Sequence, residues 1–276
     1  MGLPAIYLLV SVLLPGALTP ISASLGSSAP LDVGFREMYN LEFSDAHGTF
    51  QTYVKLHSAD PFGLTSDGAA YLFDEFNRLG VLQAELFVDD EKFKGRLKPL
   101  PDPDLREAFN TAITHSQTLA DAVLRHSPND RQALFATVLN LGLQSDYLAM
   151  VEKRDLASLA YTKRAGLAAE KLLAVDPTCY DAYLAVGVEN YILGLNPAPV
   201  RWLLRLYGAQ ADKEAGIQKL QLTATKGHYL LPLARLLLAV AALRDKNREE
   251  AKELLQNLAE EFPNNQVYRR ELSRLK

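Results

Sequence analysis

Few groups in this chain have the type and spacing to do chemistry. The one cysteine, Cys179, lies in "AVDPTCYDAYLAVG", where a helix is expected to begin. A thiol at a helix N-terminus can be acidified into a nucleophile, but it needs a second catalytic residue, and no histidine is near it in sequence. The five histidines, His47, His57, His115, His126 and His228, form no i, i+3 or i+4 pair, so no helical metal motif is present. His57 and His126 fall at expected helix C-termini, where a cation complements the helix dipole. The run Asp89 to Glu91 lacks the alternating ligands and glycine bend of a calcium loop and reads as solvated charge. No glycine-rich phosphate loop, G-x-S-x-G elbow or H-E-x-x-H is found. One cysteine excludes an intramolecular disulfide and a zinc site built on several thiolates. No catalytic residue, metal or cofactor is therefore assigned.

Polar residues inside apolar helices are more informative. Asn140, Gln144 and Tyr147 lie in "ATVLNLGLQSDYLAM"; Glu189, Asn190 and Tyr191 lie in "VGVENYILG"; Arg78 and Glu85 interrupt "LFDEFNRLGVLQAELF". Such residues either project into one ligand-binding space or form buried hydrogen-bond networks between helices. Which of these holds depends on the elements that carry them.

The chain has 276 residues, 48% hydrophobic, with a formal charge of -4. That is enough for one large domain or a short repeat array. The charge is spread along the chain, without the basic surplus of a nucleic-acid binder. "AIYLLVSVLL", Ala5 to Leu14, followed by small residues and proline, reads as a secretory signal over residues 1–23. No Lys or Arg precedes Arg36, so the alternative is a membrane anchor over residues 5–21. The expected location is the periplasm or the cell exterior. Residues 31–276 are expected to form one domain.

A repeat underlies that domain. Leu172, Ala169 and Ala165 lie five, eight and twelve positions before Pro177. Leu258, Leu255 and Ala251 hold the same offsets before Pro263, and Val123, Ala120 and Ser116 before Pro128. A weaker copy, Tyr53, Phe50 and Ala46, precedes Ser58. The small residues suit close helix crossings, the larger ones fill the groove, and proline ends the helix. The spacing predicts helices over 37–57, 66–88, 103–126, 130–151, 156–175, 179–194, 199–207, 211–226, 230–244, 247–261 and 264–275. The charged, proline-rich stretch 89–104 is expected to be a long loop, and the helix around Trp202 short and amphipathic.

At these residues the sequence resembles the tetratricopeptide repeat family, most clearly in "PLARLLLAVAALRDKNREEAKELLQNLAEEFPNN", Pro232 to Asn265. Residues 182–275 are similar to a group of bacterial exported tetratricopeptide-like proteins. The resemblance implies an all-α, irregular helical-repeat solenoid of antiparallel helix pairs. It implies a non-catalytic scaffold that binds a protein or peptide on its concave face, in the cell envelope, with membrane contact only if the N-terminal apolar segment is retained. First helices of each pair would line that face. Phe135, Leu139, Leu184, Val188, Leu236 and Val240 would then form a groove for an apolar helix or peptide, or for the chain's own N-terminal segment. The polar candidates for the same groove are Arg78, Glu85, Asn140, Gln144, Tyr147, Glu189 and Tyr191. The competing expectation is a helical small-molecule-binding protein or enzyme, in which Arg78, Glu85, Gln144, Glu189 and Tyr191 converge on a closed pocket.

Overall fold

The computed structural model describes residues 29–81, 100–195 and 211–275. Among these residues there are α-helices and one 3-10 turn, and no strand. The helices are α1 (Ala29–Tyr39), α2 (Phe43–Leu56), α3 (Pro61–Leu79), α4 (Pro103–His126), α5 (Arg131–Met150) and α6 (Asp155–Val175). The 3-10 turn Tyr180–Ala182 leads into α7 (Tyr183–Gly194), followed by α8 (Lys213–Lys226), α9 (Leu231–Arg244), α10 (Arg248–Glu261) and α11 (Gln266–Arg274). Each helix packs on the next, and α3 also packs on α5, as in a stack of helix pairs.

The repeat register positions the even helices. Ala46, Phe50 and Tyr53 on α2, Ala165, Ala169 and Leu172 on α6, and Ala251, Leu255 and Leu258 on α10 are all buried. On α4, Ser116 and Ala120 are buried and Val123 is half-buried. Spacings of four and three put each trio on one helical face. The third residue of each trio then accepts the hydrogen bond that closes its helix: His57 N to Tyr53 O, Ser127 N to Val123 O, Asp176 N to Leu172 O and Phe262 N to Leu258 O.

Two residues beyond the turn position stands the cap of the next helix. Asp60 accepts from Phe62 N, Asp130 from Ala133 N and Asn265 from Val267 N. In the third copy that slot holds Cys179, which makes no side-chain cap. The chain enters α7 through the 3-10 turn instead. The α8–α9 turn carries no proline, which is why Pro177 and Pro263 lie two helix pairs apart. Its capping comes from elsewhere: the buried carboxylate of Asp181 accepts from the N–H groups of His228, Tyr229 and Leu230, at 2.9, 3.1 and 3.0 Å.

Turns from odd to even helices follow another rule. Leu41, Gly80, Lys153 and Lys246 each take a left-handed φ between 55 and 66° just after α1, α3, α5 and α9. Three of the four are not glycine, and a left-handed L-residue costs roughly 1–2 kcal/mol.

Two boundaries differ from the sequence expectation. The helix expected over 37–57 is two helices, broken at residues 40–42, and α3 begins at Pro61, five residues before position 66. At α3, Asp60 caps and Pro61 occupies the first turn, where its missing N–H costs nothing. The expected signal over 1–23, most of the 89–104 loop and the helix at 199–207 lie outside the described residues.

Helix α1 ties the two ends of the stack together. Leu31, Phe35, Met38 and Tyr39 are all buried, at 1–4% exposure. The Phe35 ring lies against Phe50 of α2, Phe62 of α3 and Tyr229 of the α8–α9 turn, at centroid distances of 5.4, 6.0 and 4.8 Å. Tyr39 packs on Phe73 and Phe262, and its hydroxyl donates to Tyr229 O at 3.0 Å. Asn265 Nδ2 donates to Tyr39 O at 2.8 Å, and Asn264 N to Asn40 Oδ1 at 3.2 Å.

Candidate functional site

The residues singled out in the sequence separate into several places. Phe135, Leu139 and Leu184 belong to the core around α1. The Phe135 ring sits 5.1 Å from Phe62, which in turn touches Phe35. Val188 packs in a second cluster with Leu220 and Leu238, which Leu184 also reaches. The apolar inner surface is thus partly covered, and part of its cover is α1, the chain's own N-terminal helix.

Asn140 does not face that surface. It is fully buried between α3, α4 and α5, where Thr65 Oγ1 donates to its Oδ1 at 2.9 Å. Its amide donates to Ser116 Oγ and Gln117 Oε1, at 3.0 and 3.2 Å. Every polar atom of its side chain has a partner, so Asn140 fixes the register of three helices. Tyr147 stacks on Phe109 at 5.1 Å, and burial pushes its phenol up to about 12. Its hydroxyl is buried without a hydrogen-bond partner.

Arg78 donates to Glu75 at 2.7 and 2.9 Å and to Leu100 O at 2.8 Å. Glu75 also accepts from Asp102 N, so this buried carboxylate anchors the chain where it enters α4. Glu189 lies over Gly166 of α6, whose missing side chain makes room for it. Burial, then the nearby Glu170, pushes the Glu189 carboxyl up to about 7. Tyr191 lies beside Gly216, where the backbones of α7 and α8 approach closely. Gln144 is half-buried on α5. Among the described residues no hydrogen bond joins Arg78, Gln144 and Glu189. Glu85 lies outside the described residues.

What the sequence reading passed over is the rest of the inner face of α5. Phe135, Leu139, Gly142 and Asp146 follow one another at spacings of four, three and four, on one side of the helix. Phe135 and Leu139 are occupied by the core, but the face changes character beyond them. A Cβ added at Gly142 would meet no atom within 4 Å, so this glycine fronts open space. Asp146, half-buried one turn later, has no hydrogen bond or ion pair with any described residue. Burial alone pushes its carboxyl up to about 7. An acid of this kind can hold a proton near neutrality, or accept a hydrogen bond or a cation from a group placed in that space.

Other chemical candidates are enclosed. His47 Nδ1 lies 2.5 Å from Asp67 Oδ1, its ring 3.9 Å from that of Tyr71, and its Nε2 is buried without a partner. Burial pushes the Cys179 thiol up to about 11, so at neutral pH it is overwhelmingly protonated and a poor nucleophile. Among the described residues no group of three or more His, Cys, Asp or Glu side chains is arranged to hold a metal ion. No described helix is long and apolar enough to cross a membrane.

A comparison of the chain with family models, curated proteins and solved structures finds no match.

Proposed function

We propose that this chain is a non-catalytic, tetratricopeptide-like scaffold of the cell envelope that binds a protein or peptide segment on the inner face of its odd-numbered helices. The observation that supports this reading is the seating of α1. The inner face already holds one amphipathic helix by Leu31, Phe35, Met38 and Tyr39, at positions i, i+4, i+7 and i+8. That is the anchor pattern of helix-in-groove recognition. A partner would take the part that α1 leaves free, beginning at Gly142, and would present a hydrogen-bond donor or a cation to Asp146. The lack of a hydrogen-bonded convergence of Arg78, Gln144 and Glu189 weighs against the closed polar pocket of a small-molecule enzyme.

The test is site-specific photo-crosslinking in an envelope extract. A photoreactive side chain at Gly142 has room to fit, and one at the exposed Glu250 serves as the control. Crosslinking to a polypeptide from position 142, not from 250, and its loss on Asp146→Lys, is the expected result. Equal capture from both positions, or capture from 142 that Asp146→Lys leaves unchanged, would defeat the proposal.

A further inference from the structure

We propose that α1 is exchangeable, and that a second copy of this chain is the partner that receives it. The turn between α1 and α2 is held against its own sequence preference. Residues 37–57 contain no proline, and the one glycine, Gly48, lies inside α2. The stretch "YNLEF" at the break has neither a glycine nor a proline to end a helix. Leu41 nevertheless adopts φ 66°, in the left-handed region that costs a side chain with a Cβ. Glu42, the residue that opens α2, makes no side-chain cap.

What holds the turn comes from the far end of the chain. Asn264 N donates to Asn40 Oδ1, Asn264 Nδ2 donates to Glu42 Oε1 at 2.6 Å, and Asn265 Nδ2 donates to Tyr39 O. Without these clamps the local preference is a continuous helix from α1 through α2. Straightening the turn carries α1 away from its own seat and presents Leu31, Phe35, Met38 and Tyr39 to the identical seat of another copy. Every α1 contact is then remade between chains, and the left-handed strain is released at both hinges. Lys153 and Lys246 hold the same backbone state, but their turns lie between packed helices on both sides. Only the first turn has a single described helix to swing, so exchange is confined to it.

The experiment uses two single-cysteine variants of the full chain, both carrying Cys179→Ser. One has Met38→Cys and the other Leu236→Cys, two positions that line the same small cavity beneath α1. The two are mixed at high concentration, cycled through mild denaturant, oxidised and run on a non-reducing gel. A covalent dimer joining the two variants requires α1 of one copy to sit on α9 of the other. The cycle is repeated with Leu41→Ala and with Leu41→Gly in both partners. Both changes remove the leucine side chain. Alanine keeps the strain in the closed turn and favours the straight helix, whereas glycine relieves the one and disfavours the other. The dimer dissociation constant is expected to be roughly a hundredfold or more lower with alanine than with glycine, because two hinges contribute. No mixed covalent dimer in the Leu41→Ala pair, or equal dimer yield with alanine and glycine, would overturn the proposal. Should the Leu41 variants fail to fold, the mixed pair with Leu41 intact still decides: mixed dimer supports exchange, and its absence refutes it.

Discussion

Asp181 caps a helix that begins almost fifty positions later in the chain, two residues from a cysteine that caps nothing. Burial, the larger influence, pushes its carboxyl up, while the three N–H donors pull it back down. Replacing it with alanine strands three backbone donors at the α8–α9 turn, and each buried unpaired donor costs about 1–3 kcal/mol. Asp181→Ala is therefore expected to lose at least about 3 kcal/mol in urea unfolding, and Asp181→Asn, which keeps an acceptor, clearly less. Similar losses for the two variants would remove the capping role. Asp146 gives the opposite result. An unfolded aspartate titrates near pH ~4, and in the folded chain this one is raised to about 7. Between those values the folded chain holds a proton that the unfolded chain has released. The stability this group contributes is present below about pH 4 and is lost as pH rises through about 7. Asp146→Asn should therefore stabilise the protein at pH ~8, by about 1–3 kcal/mol once partial contact with water is allowed for, and leave it unchanged near pH ~4. Urea midpoints at the two pH values check this; a variant less stable at the higher pH would mean that Asp146 is satisfied.

At the scale of the helices, the register makes a sharper claim. Ala251 is fully buried, one position from the exposed Glu250. Overpacking a close crossing costs roughly 1–3 kcal/mol. Ala251→Leu should lower the thermal midpoint by several degrees while Glu250→Leu leaves it nearly unchanged, and equal midpoints would refute the register. The same register explains what was legible beforehand. Small and large apolar residues at fixed offsets before a turn have one physical meaning, so α4 through α6 and α9 through α11 fall within two residues of their expected bounds. The break at residues 40–42 was not legible, because nothing in "YNLEF" ends a helix and the cause lies at Asn264 and Asn265. The start of α3 was missed by a misreading of Asp60-Pro61 as loop. The candidate site was less legible still. Asn140 and Asp146 are both polar residues inside an apolar run, and periodicity cannot tell a residue with four partners from a residue with none. The α5 face carrying Phe135 and Leu139 was read correctly as apolar, but its continuation through Gly142 to Asp146 depends on what packs opposite, which one helix does not encode.

For the whole molecule, the consequence of α1 is cooperativity. In an open repeat array each unit touches only its neighbours, so the terminal units fray first. Here Tyr39 and Asn265, 226 positions apart, share a hydrogen bond, and Phe35 links α2, α3 and the α8–α9 turn. The first and last units are thus joined through one buried helix, and neither can open without exposing it. Local opening should follow these contacts instead of chain order. Truncating a buried phenylalanine typically costs about 3–5 kcal/mol, and Phe35→Ala removes the ring at the junction. The expected outcome in native-state hydrogen exchange is a joint loss of protection. Amides of α11, far from residue 35 in sequence, should speed up together with those of α2, while amides at the α5–α6 interface keep most of theirs. That interface is held separately, by the buried contacts of Ser145 with Ser158 and Thr162. If α11 keeps its protection in the Phe35→Ala protein while α2 loses it, the ends are only neighbours in space, and the array behaves as an open one.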